Sequence, residues 1–262
     1  MEKQQHILFE KYDGFGYVFL NRPELHNAID SVMITELTDL MNDVAADETI
    51  RAVVIRGKGK SFSSGADLNY MQSMVNSSKR ENLEDAVNLA SLFNSIYNCP
   101  IPVISVAHGN VSGGANGIIA ASDISICTDS TVFRFSELKL GLVPATISPY
   151  IIHRIGESLA AELIFTGRIF SGTEAYSYGL VNNSVKEVEL ESALLHLLDE
   201  MNSSGPIALR KTKLLIRSVS GKEIDSEIRR FTSRVFADIR ISPEAREGMQ
   251  AFLEKRKPAW LK

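Results

Sequence analysis

Cysteine is scarce in this chain: Cys99 and Cys127 are the only two in 262 residues, and each stands in apolar sequence. That excludes a disulfide framework and fits buried thiols in a reducing compartment. Excess charge is missing too, with 28 Lys and Arg set against 32 Asp and Glu. The resulting net charge of −4 advertises no basic face for nucleic acid. No run is long and apolar enough to cross a membrane. The opening residues Met1 to His6 carry neither an apolar signal core nor an Arg-rich presequence, so a cytoplasmic location is expected. The five histidines are scattered, and no His, Cys, Asp or Glu set has metal-ligand spacing, so no metal is expected.

What is present is an ordinary globular composition, 44% hydrophobic and 23% charged, long enough to bury a sizeable core. His6–Tyr12 and Gly16–Leu20 read as a hairpin turned by Asp13-Gly14. Asp30 or Ser31 caps a helix to about Ala46, with Met33, Leu37, Leu40, Met41 and Val44 at helical spacing. Arg51–Gly57 and Val103–Ala107 read as buried strands, and Asn82–Asn98 as an amphipathic helix stopped by Pro100 and Pro102. Ile118–Ala121 follows as a small-residue helix, then Ile124–Thr128 and Val132–Phe135 as strands. This alternation predicts an α/β layered core with largely parallel pairing. Beyond Glu157 the pattern turns helical, with a capping box at Ser171–Glu174 and a Ser242-Pro243 helix start. The expected organisation is a core over residues 1–200 and a helical region over 201–262.

Several familiar motifs fail. Gly59-Lys60-Ser61 resembles the end of a P-loop, but Val54 stands where its first glycine is needed. Gly109–Gly114 lacks the dinucleotide-binding spacing. Ser112 sits in Gly-x-x-Ser-Gly, which is not a nucleophile elbow, and reads as a small turn residue.

Two loops of small residues survive, each directly after a buried strand: Ser61–Leu68 and Val111–Gly117. Ligands in open α/β sheets favour such strand ends, and small side chains let backbone N–H groups approach a ligand atom. Two N–H groups converging on one carbonyl oxygen would make an oxyanion hole. A third segment, Phe135–Pro144, holds Glu137 in a mostly apolar run, where a carboxyl group with a raised pKa suits proton transfer. The alternatives are a surface glutamate or a salt bridge to Lys139 or Arg134.

Asn21–Ala28, Phe62–Leu68, Gly109–Asp123, Ser136–Pro144, Thr166–Leu180 and Arg246–Arg256 resemble, in order, the signature blocks of the enoyl-CoA hydratase/isomerase (crotonase) family. The resemblance implies a ClpP/crotonase-type α/β spiral of ββα units followed by a helical C-terminal trimerisation region, and hence a homotrimer or dimer of trimers. It implies an acyl-CoA thioester as substrate, which brings its own coenzyme A, so that no separate cofactor is needed. By resemblance, the N–H groups of Ala66 and Gly114 form the oxyanion hole and Glu137 is the acid/base. Arg22, Leu25, Ser64, Ala66, Asp67, Leu68, Asn69, Gly113 and Gly114 would then line the coenzyme A and acyl site, with Phe252 and Lys255 completing it.

One departure stands out. The hydratases of the family commonly use two glutamates, and the first falls here on Gly117. Ser136–Tyr150 looks most like bacterial methylglutaconyl-CoA hydratase-like members. The reading is therefore hydration of a short or branched 2-enoyl-CoA, with 3-methylglutaconyl-CoA as an example. The alternatives are a Δ3,Δ2-enoyl-CoA isomerase working with one glutamate, and a non-catalytic acyl-CoA-binding protein. The pocket walls are expected from Met71–Leu92 and the C-terminal helices.

Overall fold

A computed structural model describes residues 5–261; the first four residues, in which no signal segment was read, lie outside the described residues. Contacts divide the chain into two compact units, residues 5–99 with 103–194, and residues 100–102 with 195–261.

The first unit is built on a six-stranded sheet. Strands β1 (Ile7–Tyr12) and β2 (Phe15–Leu20) form an antiparallel hairpin with Tyr12 opposite Phe15. Asp13 and Gly14 turn it, both at positive φ (49° and 77°), which suits a tight two-residue turn. Strands β3 (Ala52–Gly57), β4 (Val103–Ala107), β6 (Ile124–Thr128) and β9 (Asn183–Val185) continue the sheet in parallel from β2. Every residue of β4 is buried, as expected for a strand covered on both faces.

A second, three-stranded sheet joins β5 (Asn110–Ser112), β7 (Val132–Arg134) and β8 (Ile169–Ser171). The sequence reading had β7, as Val132–Phe135, but neither β5 nor β8, because three-residue strands offer no measurable alternation. Its core is aromatic: the Phe133 and Phe170 rings stack at 5.4 Å, and Phe135 and Phe170 at 6.1 Å.

Helices cover the sheets. Helix α1 (Ser31–Ala46) starts where Asp30 accepts the Met33 N–H, and it buries Met33, Ile34, Leu37, Met41 and Val44. Each such side chain contributes about 1.5–3 kcal/mol on leaving water. Helix α2 (Leu68–Met74) is capped by Asp67, and α3 (Lys79–Asn98) by a Ser78–Glu81 capping box. Helix α4 (Ala115–Ala121) is wholly buried and follows β5 directly. Helices α5 (Ser148–Ile155), α6 (Glu157–Thr166) and α7 (Gly172–Ser177) complete this unit, α7 opened by the Ser171–Glu174 box.

Helix α8 (Leu190–Asn202) carries the chain into the second unit, which contains α9 (Pro206–Val219), α10 (Ser226–Arg240) and α11 (Pro243–Leu253). Glu244 accepts the N–H groups of Ile207 and Ala208 at 2.9 and 2.8 Å, serving as a remote cap for α9. Lys213 is buried and donates to the Ile101 carbonyl at 3.0 Å. Among the described residues no helix is long and apolar enough to cross a membrane, and no group of three His, Cys, Asp or Glu could hold a metal ion.

Candidate active site

The two small-residue loops leave neighbouring parallel strands and are stitched together at once. Phe62 N–H donates to His108 O (2.8 Å), Ser63 N–H to Asn110 O (3.1 Å) and Ser112 N–H to Ser63 O (3.2 Å). A parallel bridge pairs Ser63 with Val111. Gly65 stands at φ +93°, and a Cβ there would lie 2.9 Å from Ser112 O, so only glycine permits this approach.

On its other side the first loop pairs with Ile29, which donates to Gly65 O (2.7 Å) and accepts from Asp67 N–H (2.9 Å). Parallel pairing alternates the direction of successive N–H groups, so the N–H of Ala66 points away from Ile29. Neither Ala66 N–H nor Gly114 N–H donates a hydrogen bond among the described residues.

The second loop is pinned to β7. Gly113 N–H donates to Arg134 O (3.1 Å), and the buried Asn116 amide donates to Gly113 O and to Arg134 O, both at 3.0 Å. Gly114 then opens α4 as its N-cap residue.

Glu137 begins a short 3-10 turn that Gly141 closes in the left-handed region at φ 72°. A Cβ on Gly113 would lie 3.5 Å from Glu137 Oε1, which sets the carboxyl beside the second loop. Oε2 is buried without a hydrogen-bond partner, and no ion pair joins Glu137 to Lys139 or Arg134 among the described residues. Burial pushes the Glu137 carboxyl above the usual carboxylate range, against the opposing pull of the Glu137 and Ser136 N–H groups.

Ala66, Gly114 and Glu137 line one cavity of about 380 Å³. Its remaining wall is mostly apolar, from Ile29, Ile34, Leu89, Leu142, Val143 and Ile147 among others. Two unengaged N–H groups and one carboxyl with an unpartnered oxygen in such a cavity can bind a carbonyl oxygen and move a proton beside it.

The position of the missing glutamate is closed. Gly117 is buried, and a Cβ there would meet Ile147 Cγ2 at 2.5 Å and the Phe93 ring at 2.6 and 2.8 Å. Phe93 and Ile147 occupy the space that a second carboxylate would need.

The remaining sequence-predicted contacts fall into two sets. Arg22 is spent inside the protein, donating to Ala28 O at 2.6 Å and Asp67 Oδ2 at 2.9 Å and pairing with Asp30 at 3.2 Å. Asp67 is likewise buried, capping α2 through Asn69 and Tyr70 N–H. Both brace the site from within. Leu25, Ser64, Leu68 and Asn69 are exposed around it, Leu68 at 80%, as surface that a large ligand could cover. Gly113 is buried behind Gly114. Phe252 and Lys255 are exposed in the second unit.

Sequence reasoning missed Tyr70, Asn82 and Asp85 as individual lining residues, although Met71–Leu92 was expected to supply a wall. The exposed-looking polar pattern of α3 gave no sign that Asp85 faces a cavity.

Residues 10–262 match the sequence profile described as enoyl-CoA hydratase/isomerase. The chain is 29% identical over 253 residues to the short-chain-enoyl-CoA hydratase of Clostridium acetobutylicum, covering 96% of this chain and 95% of that one. It is 34% identical over 223 residues to the human mitochondrial Δ(3,5)-Δ(2,4)-dienoyl-CoA isomerase, covering 80% of this chain and 65% of that one. The crystal structure of an enoyl-CoA hydratase from Shewanella pealeana superposes with a TM-score of 0.93 at 34% identity, over 97% of this chain and 96% of that one. The fold is that of the crotonases, and the chain belongs to the enoyl-CoA hydratase/isomerase family of enzymes.

Proposed function

We propose that this enzyme hydrates a short or branched 2-enoyl-CoA thioester, using Glu137 as its one acid/base group. The observation that carries the reading is the half-buried Glu137, its Oε2 buried and without a hydrogen-bond partner, in the cavity that also holds the unengaged N–H groups of Ala66 and Gly114.

The thioester carbonyl accepts both N–H groups, which stabilise the negative charge that collects on its oxygen as C3 is attacked. Ionised Glu137 takes a proton from water as the water oxygen bonds to C3. The same proton then passes from Glu137 to C2, the enolate collapses to the thioester, and Glu137 is ionised again. Atoms balance with one water consumed. The raised pKa of Glu137 brings it closer to neutrality, where it can both accept and return a proton.

A second reading is isomerisation of a 3-enoyl-CoA, in which Glu137 moves a proton from C2 to C4 through the same enolate. It is favoured by the packed Gly117 position, since a shuttle between two carbons needs no second group to hold water.

The test is the absorbance of the conjugated enoyl-thioester with crotonyl-CoA and with a 3-enoyl-CoA, in wild type and Glu137→Gln. Loss of absorbance from crotonyl-CoA, abolished by Glu137→Gln, supports hydration. A gain from the 3-enoyl-CoA alone selects isomerisation. The coenzyme A contacts at Leu25, Ser64, Leu68 and Asn69 and the homotrimer rest on the family resemblance. Light scattering reads the assembly directly.

A further inference from the structure

The proposed reaction leaves one wall of the cavity unused. Tyr70 on α2 and Asn82 and Asp85 on α3 form it, with Ala86 and Leu89 beside them. The Tyr70 hydroxyl donates to Asp85 Oδ1. Burial, then the hydrogen bond and charge of Asp85, push the Tyr70 phenol well above its ordinary range, so Tyr70 stays a neutral donor. Asp85 Oδ2 accepts no hydrogen bond and Asp85 has no ion pair among the described residues. The Asn82 amide N–H₂ is committed to Ser77 O and Ser78 O at 3.0 and 3.1 Å, which leaves its side-chain oxygen as what it can offer a ligand.

The lining therefore holds two carboxylates, Asp85 and Glu137, and no Lys, Arg or His. An anionic group entering such a cavity loses its water shell and meets like charge with no compensating cation.

We propose that Asp85 is a specificity-determining residue, one that turns away acyl groups carrying a second carboxylate and leaves the cavity to uncharged chains. The inference rests on reading this cavity as the acyl site. It directs the choice of substrate away from 3-methylglutaconyl-CoA, whose distal carboxylate would face Asp85 or Glu137 unpaired, and toward alkyl 2-enoyl groups. Two like charges about 8 Å apart at an effective dielectric near 20 weaken binding roughly 30-fold.

Saturated thioesters test this apart from turnover. Calorimetry on the full chain would compare glutaryl-CoA, hexanoyl-CoA and 5-(trimethylammonio)pentanoyl-CoA, which end in an anion, a methyl and a cation. Wild type should bind hexanoyl-CoA at least tenfold more tightly than glutaryl-CoA, within the roughly 30-fold charge effect, and 5-(trimethylammonio)pentanoyl-CoA more tightly than glutaryl-CoA. Asp85→Asn and Asp85→Ser should each shrink the hexanoyl-to-glutaryl ratio roughly tenfold. Tyr70→Phe, which leaves the charge in place, should keep it. Equal wild-type affinity for glutaryl-CoA and hexanoyl-CoA, a ratio unmoved by both Asp85 variants, or its loss in Tyr70→Phe would each overturn the assignment. Failure of all three thioesters to bind wild type would instead sink the acyl-site reading beneath it, whereas binding without turnover would sink only the proposed reaction.

Discussion

Gly117→Ala sets two effects of known size against each other. Alanine in a helix interior is favoured over glycine by about 1 kcal/mol, so α4 by itself would gain. The new Cβ, however, would lie 2.5 Å from Ile147 Cγ2 and 2.6 and 2.8 Å from two Phe93 ring atoms. Phe93 is 0% exposed and Ile147 1%, so neither has solvent to retreat into. Overpacking of this kind costs about 1–3 kcal/mol, and three contacts this short place it at the upper end. The expected net loss is about 2 kcal/mol, read as a lower denaturation midpoint at unchanged slope. In a double-mutant cycle, Phe93→Leu should relieve the alanine, with a favourable coupling of about 1 kcal/mol or more. Gly117→Glu, which adds four further heavy atoms and a charge, should fold only alongside truncation of Phe93. A Gly117→Ala protein as stable as wild type would show that helix propensity decides and that the position is not sterically closed. A folded Gly117→Glu single variant with faster hydration would refute the one-carboxylate site altogether.

Other outcomes follow from the site. Glu137→Gln should lower turnover about 10²–10⁴-fold, the usual worth of a positioned acid/base, with stability within about 1 kcal/mol of wild type because Oε2 has no partner to lose. Because the ionised form begins hydration and the folded pKa is raised, kcat/KM should climb with pH through a limb above the usual carboxylate range. The matching stability term has the opposite sense: the fold prefers protonated Glu137, so that contribution is present at low pH and is lost as pH rises through the folded pKa. Denaturation of wild type and Glu137→Gln across that window would read it. Asp67→Ala should cost about 2 kcal/mol, since it uncaps α2 and leaves the buried Arg22 with Asp30 as its remaining carboxylate partner. Burial raises the Asp67 carboxyl, but the Tyr70 N–H, Arg22 and Asn69 N–H outweigh it and hold it low. Its contribution is therefore present above the usual carboxylate range and lost as pH falls through the lowered value, which an acid-denaturation comparison of wild type and Asp67→Ala would show.

The hairpin, α1, β3, β4 and β6 were legible because each combines a strong local pattern with a stop or cap, such as Asp30 before α1 and Pro100 after α3. Strands β5 and β8, and their pairing with β7 in a second sheet, were not, since strands this short are fixed by tertiary pairing. Within the site, the loops of Ala66 and Gly114 and the apolar setting of Glu137 could be read from residue type, and the family resemblance flagged Gly117. That Phe93 and Ile147 fill the gap could not be read, because Phe93 lies 24 positions before Gly117 and Ile147 30 after it, on other elements. Asp85 was hidden for a related reason: a helix can present a charged residue to a cavity with the same spacing that presents it to solvent.

The strap between the two loops divides the enzyme's future from its past. Ser63, Val111 and Ser112 bind the loops backbone to backbone and Gly65 permits their close approach, so substitutions there disturb both N–H donors together. The wall from α3 and residues 142–147 lies outside that strap. On the proposed reaction, mutational drift can therefore rewrite which acyl chain is admitted, one surface at a time, while the N–H groups proposed to stabilise the enolate are inherited as a block.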